Sequence, residues 1–245
     1  MDKGMQSLLN VILSVLAPVM ILDHCSQHGD AIYELGPTAA IVVALSLPLA
    51  CGLYSFVKSR TVDPITFMGL IGTILTAIVT FYANTGDGEA IRPDTPWWYA
   101  AKEALIPLLL GGIMIVSTKS PTSMLRVFIY SDAVFDIPHI EQRVAERGAQ
   151  QEYDQTLFRA SLMTAGSLFA SALANFLLAL HFLLPVLRQA PADQPVAYNY
   201  AVSSMTWYGY LIIGIPLFIT LFCVIRYLAM RLERLTGSDR VLMTK

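Results

Sequence analysis

Lys102 and Glu103 stand side by side in "WWYAAKEALIPLLLGG", residues 97–112, at the head of an apolar run. Ionisable residues inside membrane spans are rare, and they face the protein interior or a water-filled cavity, where they bind ions or polar solutes, relay protons or brace helices. Counted from Trp98, the two lie four or five residues in, roughly 6 to 8 Å deep at ~1.5 Å per residue. Neighbouring helix positions point about 100° apart, so the spacing predicts a separate partner for each charge rather than a mutual pair. Depth names the partners. His181 in "NFLLALHFLLPVL" lies near the level of Glu103, Asn175 lies further in, and Asp23 closes the first apolar run on the same side. The expectation is an outward-open polar pocket made from Lys102, Glu103, His181, Asn175 and Asp23. Two plainer readings stand beside it: a buried structural hydrogen-bond cluster, and a Lys102 that snorkels outward along its flexible stem.

Other chemistry is not indicated. "DHCSQHGD", residues 23–30, holds ligand types for a soft divalent metal, but a short loop rarely supplies four ligands at fixed geometry, so no metal site is expected. The three cysteines, at 25, 51 and 223, show no CxxC spacing, and Cys51 and Cys223 read as small apolar side chains. The chain has no GxSxG elbow, no HExxH helix, no GxxxxGK[ST] loop and no paired-aspartate motif for magnesium. An enzyme is therefore not expected, nor is a cofactor. Basic residues are interleaved with acids, which argues against nucleic acid as a partner.

The elements that must position these residues are membrane helices. The chain has 245 residues, 55% hydrophobic and 14% charged, with a mean hydropathy of +0.57. Apolar runs cover residues 8–22, 37–57, 65–83, 98–117, 161–187 and 206–229. A span needs about 20 mostly apolar residues. The first run is short, and it lacks a small-x-small cleavage site, so it reads as a span rather than a cleaved signal. The fold class expected is all-α: a polytopic membrane helix bundle of six transmembrane helices. Thirteen of the 16 lysines and arginines fall on one side of that arrangement and only Arg92 and Arg188 on the other. By the positive-inside rule, the N and C termini are cytoplasmic. Trp97, Trp98, Trp207, Tyr208 and Tyr210 begin the fourth and sixth runs, where an aromatic belt belongs.

Each even span carries one proline about ten residues in: Pro48, Pro107 and Pro216. Proline removes one N–H and pushes away the carbonyl four residues earlier. The even helices are thus expected to be kinked near the bilayer centre. Regular spacing of this kind fits three helical hairpins derived from one unit, and it equally fits the ordinary frequency of proline in membrane helices. The whole chain, residues 1–245, reads as a single membrane domain with one cytoplasmic loop, residues 118–160. In that loop Met124, Leu125, Phe128 and Ile129 give an apolar face beside Lys119 and Arg126, predicting an interfacial amphipathic helix. A second helix is predicted from Asp136 and Pro138 to Gly148, polar nearly all round. Gly69 with Gly72, and Gly166 with Ala170, are small-residue pairs that permit close helix contacts.

Three segments carry a resemblance. "GLYSFVKSRTVDPITFMGLIGTILTA" (52–77), "WYAAKEALIPLLLGGIMIVSTKSP" (98–121) and "SALANFLLALHFL" (171–183) resemble the intracellular septation protein A family of bacterial inner-membrane proteins. The matching features are Tyr54, Lys58, Lys102, Lys119, Pro121 and Asn175; the loop at 130–160 and the outer loops are longer here. The resemblance implies a protein of the bacterial inner membrane associated with septation and envelope integrity, with no established reaction. Its partners would be the lipid bilayer, other inner-membrane or division and envelope proteins, and a second copy of the chain. The alternative function is a small-solute or lipid transporter working through the polar pocket.

Overall fold

Proline and aspartate start several helices where the sequence places them, and apolar spacing decides which faces are covered. The computed structural model describes residues 16–27, 33–59, 64–83, 90–120, 123–132, 134–238 and 241–242. In chain order the α-helices are α1 (Ala17–His24), α2 (Pro37–Ser59), α3 (Pro64–Ala83), α4 (Thr95–Val116), α5 (Met124–Phe128), α6 (Ile137–Glu146), α7 (Gln150–Leu183), α8 (Gln194–Gly209) and α9 (Ile215–Thr236). Among the described residues 85% are helical and there are no strands.

Four stretches are long and apolar enough to cross a membrane: Pro37–Tyr54 in α2, Thr95–Val116, Gln150–Arg188, and Pro191–Thr236, which holds α8 and α9. The described part of α3 adds a shorter apolar helix, Ile71–Ala83. Most of the first run, residues 8–22, lies outside the described residues, and α1 is its described end.

Pro48 and Pro107 lie inside α2 and α4. Pro216 lies in a helical stretch that runs without a break from Gln194 to Thr236. It occupies the first turn of α9, directly after a π-helical turn at Tyr210–Gly214. A proline within a continuous helix leaves a carbonyl of the preceding turn without its N–H, and the wider π turn just before Pro216 is where the helix accommodates that loss.

The chain divides into two compact units, Met1–Ile106 with Ala174–Leu211, and Pro107–Leu173 with Ile212–Lys245. The first unit has a core of Ile41, Ala83, Ile91, Tyr99, Ala100, Ala179, Leu183, Val186, Tyr198, Ala201, Val202 and Met205. Its helix α8 falls in what reads from hydropathy as an outer loop. The signal for it is present: Tyr198, Ala201, Val202 and Met205 follow an i, i+3, i+4, i+7 pattern, and Pro195 sits in the first turn. The segment is too polar to be found by a search for spans.

In the second unit, α5, α6 and α9 pack with parts of α4 and α7 around Met114, Leu125, Ile129, Tyr130, Phe135, Ile140, Val144, Val224, Leu228 and Leu232. The apolar face of the 124–129 segment therefore points into protein: Leu125, Ile129 and Tyr130 are buried. Helix α6 starts at Asp136, whose Oδ1 accepts the His139 N–H at 3.3 Å, and Gly148 follows its end with φ 64°. It is not polar all round, because Ile140 and Val144, one turn apart, are fully buried. Helix α7 begins at Gln150, eleven residues before the fifth apolar run, and its 34 residues reach about 51 Å. The second unit is closed by Val241, which is buried and whose carbonyl accepts the Asp136 N–H at 3.0 Å; Phe135 and Leu242 form an isolated β-bridge.

Candidate functional site

Helix α4 carries Tyr99, Lys102 and Glu103 on consecutive turns, and α3 sets Thr76 opposite them. The Lys102 Nζ donates to Glu103 Oε1 at 2.6 Å and to Thr76 Oγ1 at 2.6 Å, and it lies 4.0 Å from the centre of the Tyr99 ring. The expectation of separate partners is thus corrected. The angle between adjacent Cβ atoms is real, but a four-carbon lysine stem and a two-carbon glutamate stem are long enough to swing their ends together. Lys102 does not snorkel either: its side chain is 8% exposed, against 27% for Glu103.

Every direction around the ammonium is engaged. Its donors meet a carboxylate, a hydroxyl and an aromatic face, and a cation over such a ring is worth up to about 2 kcal/mol when desolvated. The Thr76 hydroxyl passes its own proton back to the Gly72 carbonyl at 2.9 Å. Beside this cluster Tyr99 meets the buried Tyr198 of α8 edge to face, centroids 6.1 Å apart, and the Tyr198 hydroxyl is 3.3 Å from Thr80 Oγ1 of α3. A string of polar groups therefore joins α3, α4 and α8 within the first unit.

His181 and Asp23 belong elsewhere in the same unit. Together with Ser26, Gln27, Gln189, Asp193, Tyr200 and Ser204 they line a cavity of about 910 Å³ between α1, the end of α7 and α8. Lys102, Glu103 and Asn175 are not in its lining. The five candidates thus separate into a buried charge cluster, a distinct open cavity, and Asn175, which is half-buried on α7. Hydropathy explains the error. It fixes depth along the bilayer normal, whereas neighbours are decided by direction around the bundle.

Sequence reasoning missed Asn199. It is fully buried, and its Nδ2 donates to Ser26 Oγ at 2.9 Å and to the Pro37 carbonyl at 3.0 Å, tying α8 to the end of α1 and the start of α2. Its Oδ1 is buried with no protein partner. Gln194 does related work, with its Oε1 accepting the buried Ile91 N–H at 2.9 Å. A polar side chain on the buried stripe of an amphipathic pattern was the available signal for Asn199.

Just before α4, Asp94 gathers donors: the Tyr82 hydroxyl at 2.7 Å, the Trp98 indole N–H at 3.1 Å, and Arg92 Nε at 3.7 Å. The Tyr82 hydrogen bond above all, with Trp98 and Arg92, holds its carboxyl below the usual aspartate range. In the second unit, Arg126 does not reach for headgroups with the whole of its guanidinium. Its Nη2 donates to Glu141 Oε1 at 3.0 Å and to the Tyr153 hydroxyl at 3.1 Å, and Tyr153 donates to the Tyr130 hydroxyl at 3.3 Å. Burial pushes the Tyr130 hydroxyl well above the ordinary tyrosine range.

Among the described residues, no three of His, Cys, Asp and Glu come together as metal ligands; His28 and Asp30 of the 23–30 stretch lie outside them. The small-residue pairs divide as well. A Cβ on Gly72 would stand 3.1 Å from Ile106 Cδ1, whereas one on Gly166 would meet nothing within 4 Å. Compared with protein-family models, with curated proteins and with solved structures, the chain finds no match.

Proposed function

We propose that this is a multi-pass interaction protein of the bacterial inner membrane, with six spans, kinked even helices and both termini on the cytoplasmic side, acting through partner proteins rather than through a reaction. The observation that carries the reading is the saturation of the Lys102–Glu103 charge pair. Glu103, Thr76 and the Tyr99 ring occupy the Lys102 ammonium, which leaves it bracing helices rather than offering a charge to a solute. The resemblance to septation proteins directs the search for partners to division and envelope proteins, and to a second copy of the chain.

The test is complementation. Cells depleted of the protein are expected to show defective septa or fragile envelopes, and the double variant Lys102→Met/Glu103→Gln, which removes both charges together, is expected to restore them. Normal division and envelope integrity on depletion would refute the septation reading. Failure of a well-inserted double variant would refute the bracing role.

The 910 Å³ cavity with Asp23 and His181 favours the second reading, a small-solute or lipid transporter. On that reading Asp23→Asn or His181→Phe abolishes complementation while the charge-pair variant is tolerated. The interaction reading expects both single variants to complement.

A further inference from the structure

Two cavities in the second unit are lined by successive turns of one face of α7. The first, about 680 Å³, is mixed: Ser123, Arg126 and Asp154 line it together with Leu157 and Phe158. The second, about 240 Å³, is apolar, lined by Leu110, Met114, Phe128, Leu168, Leu221 and Val224 among others. Three elements pass directly from one to the other. On α7 the lining changes from Ser161 to Thr164, a rise of about 4.5 Å; from the 3-10 turn after α4 into α4 itself it changes from Thr118 to Met114; and on α5 it changes from Arg126 to Phe128. On α7 the positions 154, 158, 161, 164 and 168 follow i+3 and i+4 steps, so a single stripe of that helix faces both spaces.

A chamber with charged and hydroxyl groups, one helical turn from an apolar slot, matches the two ends of an amphiphile, and the sign of its charges narrows the class. Among the described residues, the charged groups that line the chamber are Arg126 and Asp154. Arg126 is held in place through Nη2 by Glu141 and Tyr153, and a guanidinium has further donors in its planar fork. Thr118, Ser120, Ser123 and Ser161 line the same space; the Thr118 and Ser161 hydroxyls donate to the Ile115 and Leu157 carbonyls and keep their lone pairs, and Ser123 Oγ accepts the Arg126 N–H, leaving its own proton to donate. Phosphate is the anion that guanidinium and hydroxyl groups recognise together, and Asp154 supplies an acceptor for an ammonium.

We infer that this pair of cavities is a binding site for one zwitterionic glycerophospholipid of the phosphatidylethanolamine type. Its phosphate sits at Arg126 and the Ser123 hydroxyl, its ammonium at Asp154, and one acyl chain in the slot between Met114, Phe128 and Leu168. The site is independent of the septation and transport readings, because it involves none of Asp23, Lys102, Glu103 and His181.

Native mass spectrometry of the whole protein, delipidated in detergent and given phosphatidylethanolamine, phosphatidylglycerol or soluble glycerophosphoethanolamine, tests it. One phosphatidylethanolamine is expected to bind about tenfold more tightly than phosphatidylglycerol, the worth of one charge-assisted hydrogen bond. Asp154→Asn should erase that preference by weakening phosphatidylethanolamine binding, without weakening phosphatidylglycerol binding. Leu168→Trp, which fills the slot, should abolish lipid retention with the chamber intact. Circular dichroism of each variant checks that it is folded. The proposal is overturned if both lipids are retained alike by the unmodified protein, if the Asp154→Asn ratio does not move, or if glycerophosphoethanolamine without acyl chains competes as well as the lipid does.

Discussion

Removing Glu103 alone should harm the protein more than removing Glu103 and Lys102 together. At 2.6 Å the two unit charges attract by about 6 kcal/mol at an effective dielectric constant of 20. Lost hydration offsets much of that, and breaking such a pair from one side costs about 3–5 kcal/mol when it leaves a charge uncompensated in the interior. With Lys102 8% exposed, Glu103→Gln leaves an ammonium facing only an amide oxygen, the Thr76 hydroxyl and the Tyr99 ring. The expected loss is about 2–3 kcal/mol, the worth of a hydrogen bond to a charged group together with part of the desolvation. Lys102→Met costs less, because Glu103 is 27% exposed and finds water. The double variant has no stranded charge and should lie within about 1 kcal/mol of the parent, since an apolar replacement of a buried pair is often near neutral. Reversible unfolding in mixed micelles, followed by circular dichroism, measures all four proteins of the cycle. Effects that add to within about 0.5 kcal/mol would mean that the residues do not act as a pair, and would refute the reasoning.

Other outcomes follow from single positions. Gly111→Ala puts a methyl 2.7 Å from Phe169 Cε1, whereas Gly112→Ala meets nothing within 4 Å; the first should lose about 1–3 kcal/mol and the second gain a few tenths to about 1 in the same unfolding assay. Gly237 closes α9 with φ 61°, and a Cβ there would collide with the Arg147 guanidinium. Gly237→Ala should therefore cost about 1–2 kcal/mol from the backbone, while the Arg147 guanidinium, at the end of a flexible stem, swings aside at little cost, so that Arg147→Ala should not rescue the variant. Because the folded carboxyl of Asp94 titrates below its unfolded value of about 3.9, its contribution is complete above that value and is lost as pH falls through the lower, folded one. Thermal unfolding measured from pH 6 down to pH 3 should show an acid-side decline that Asp94→Asn flattens. Asn199→Ala strips partners from Ser26 and the Pro37 carbonyl and should lower stability by about 1–3 kcal/mol.

Composition and apolar run length made the helical, membrane-crossing character legible, and local chemistry made the start of α6 at Asp136 and Pro138 legible as well. Two kinds of information were not there to be read. Hydropathy gives depth alone, so His181 and Glu103 looked like neighbours when one lines the open cavity and the other bonds to Lys102. A search for uninterrupted apolar length also passed over α8 and the first eleven residues of α7, whose buried residues recur at helical spacing among polar ones. The angle between Cβ atoms misled in its own way, since it describes where side chains leave the backbone and not where long ones end.

The clasp between Asp136 and Val241 has a consequence for biosynthesis. More than a hundred residues separate the two, so when the ribosome has released α5 and α6 their platform still lacks the side chain that fills it and the acceptor for one of its amides. The core around α5 and α6 is thus completed only after residues 241 and 242 have been made, and until they emerge an earlier piece of the chain waits with an open seam.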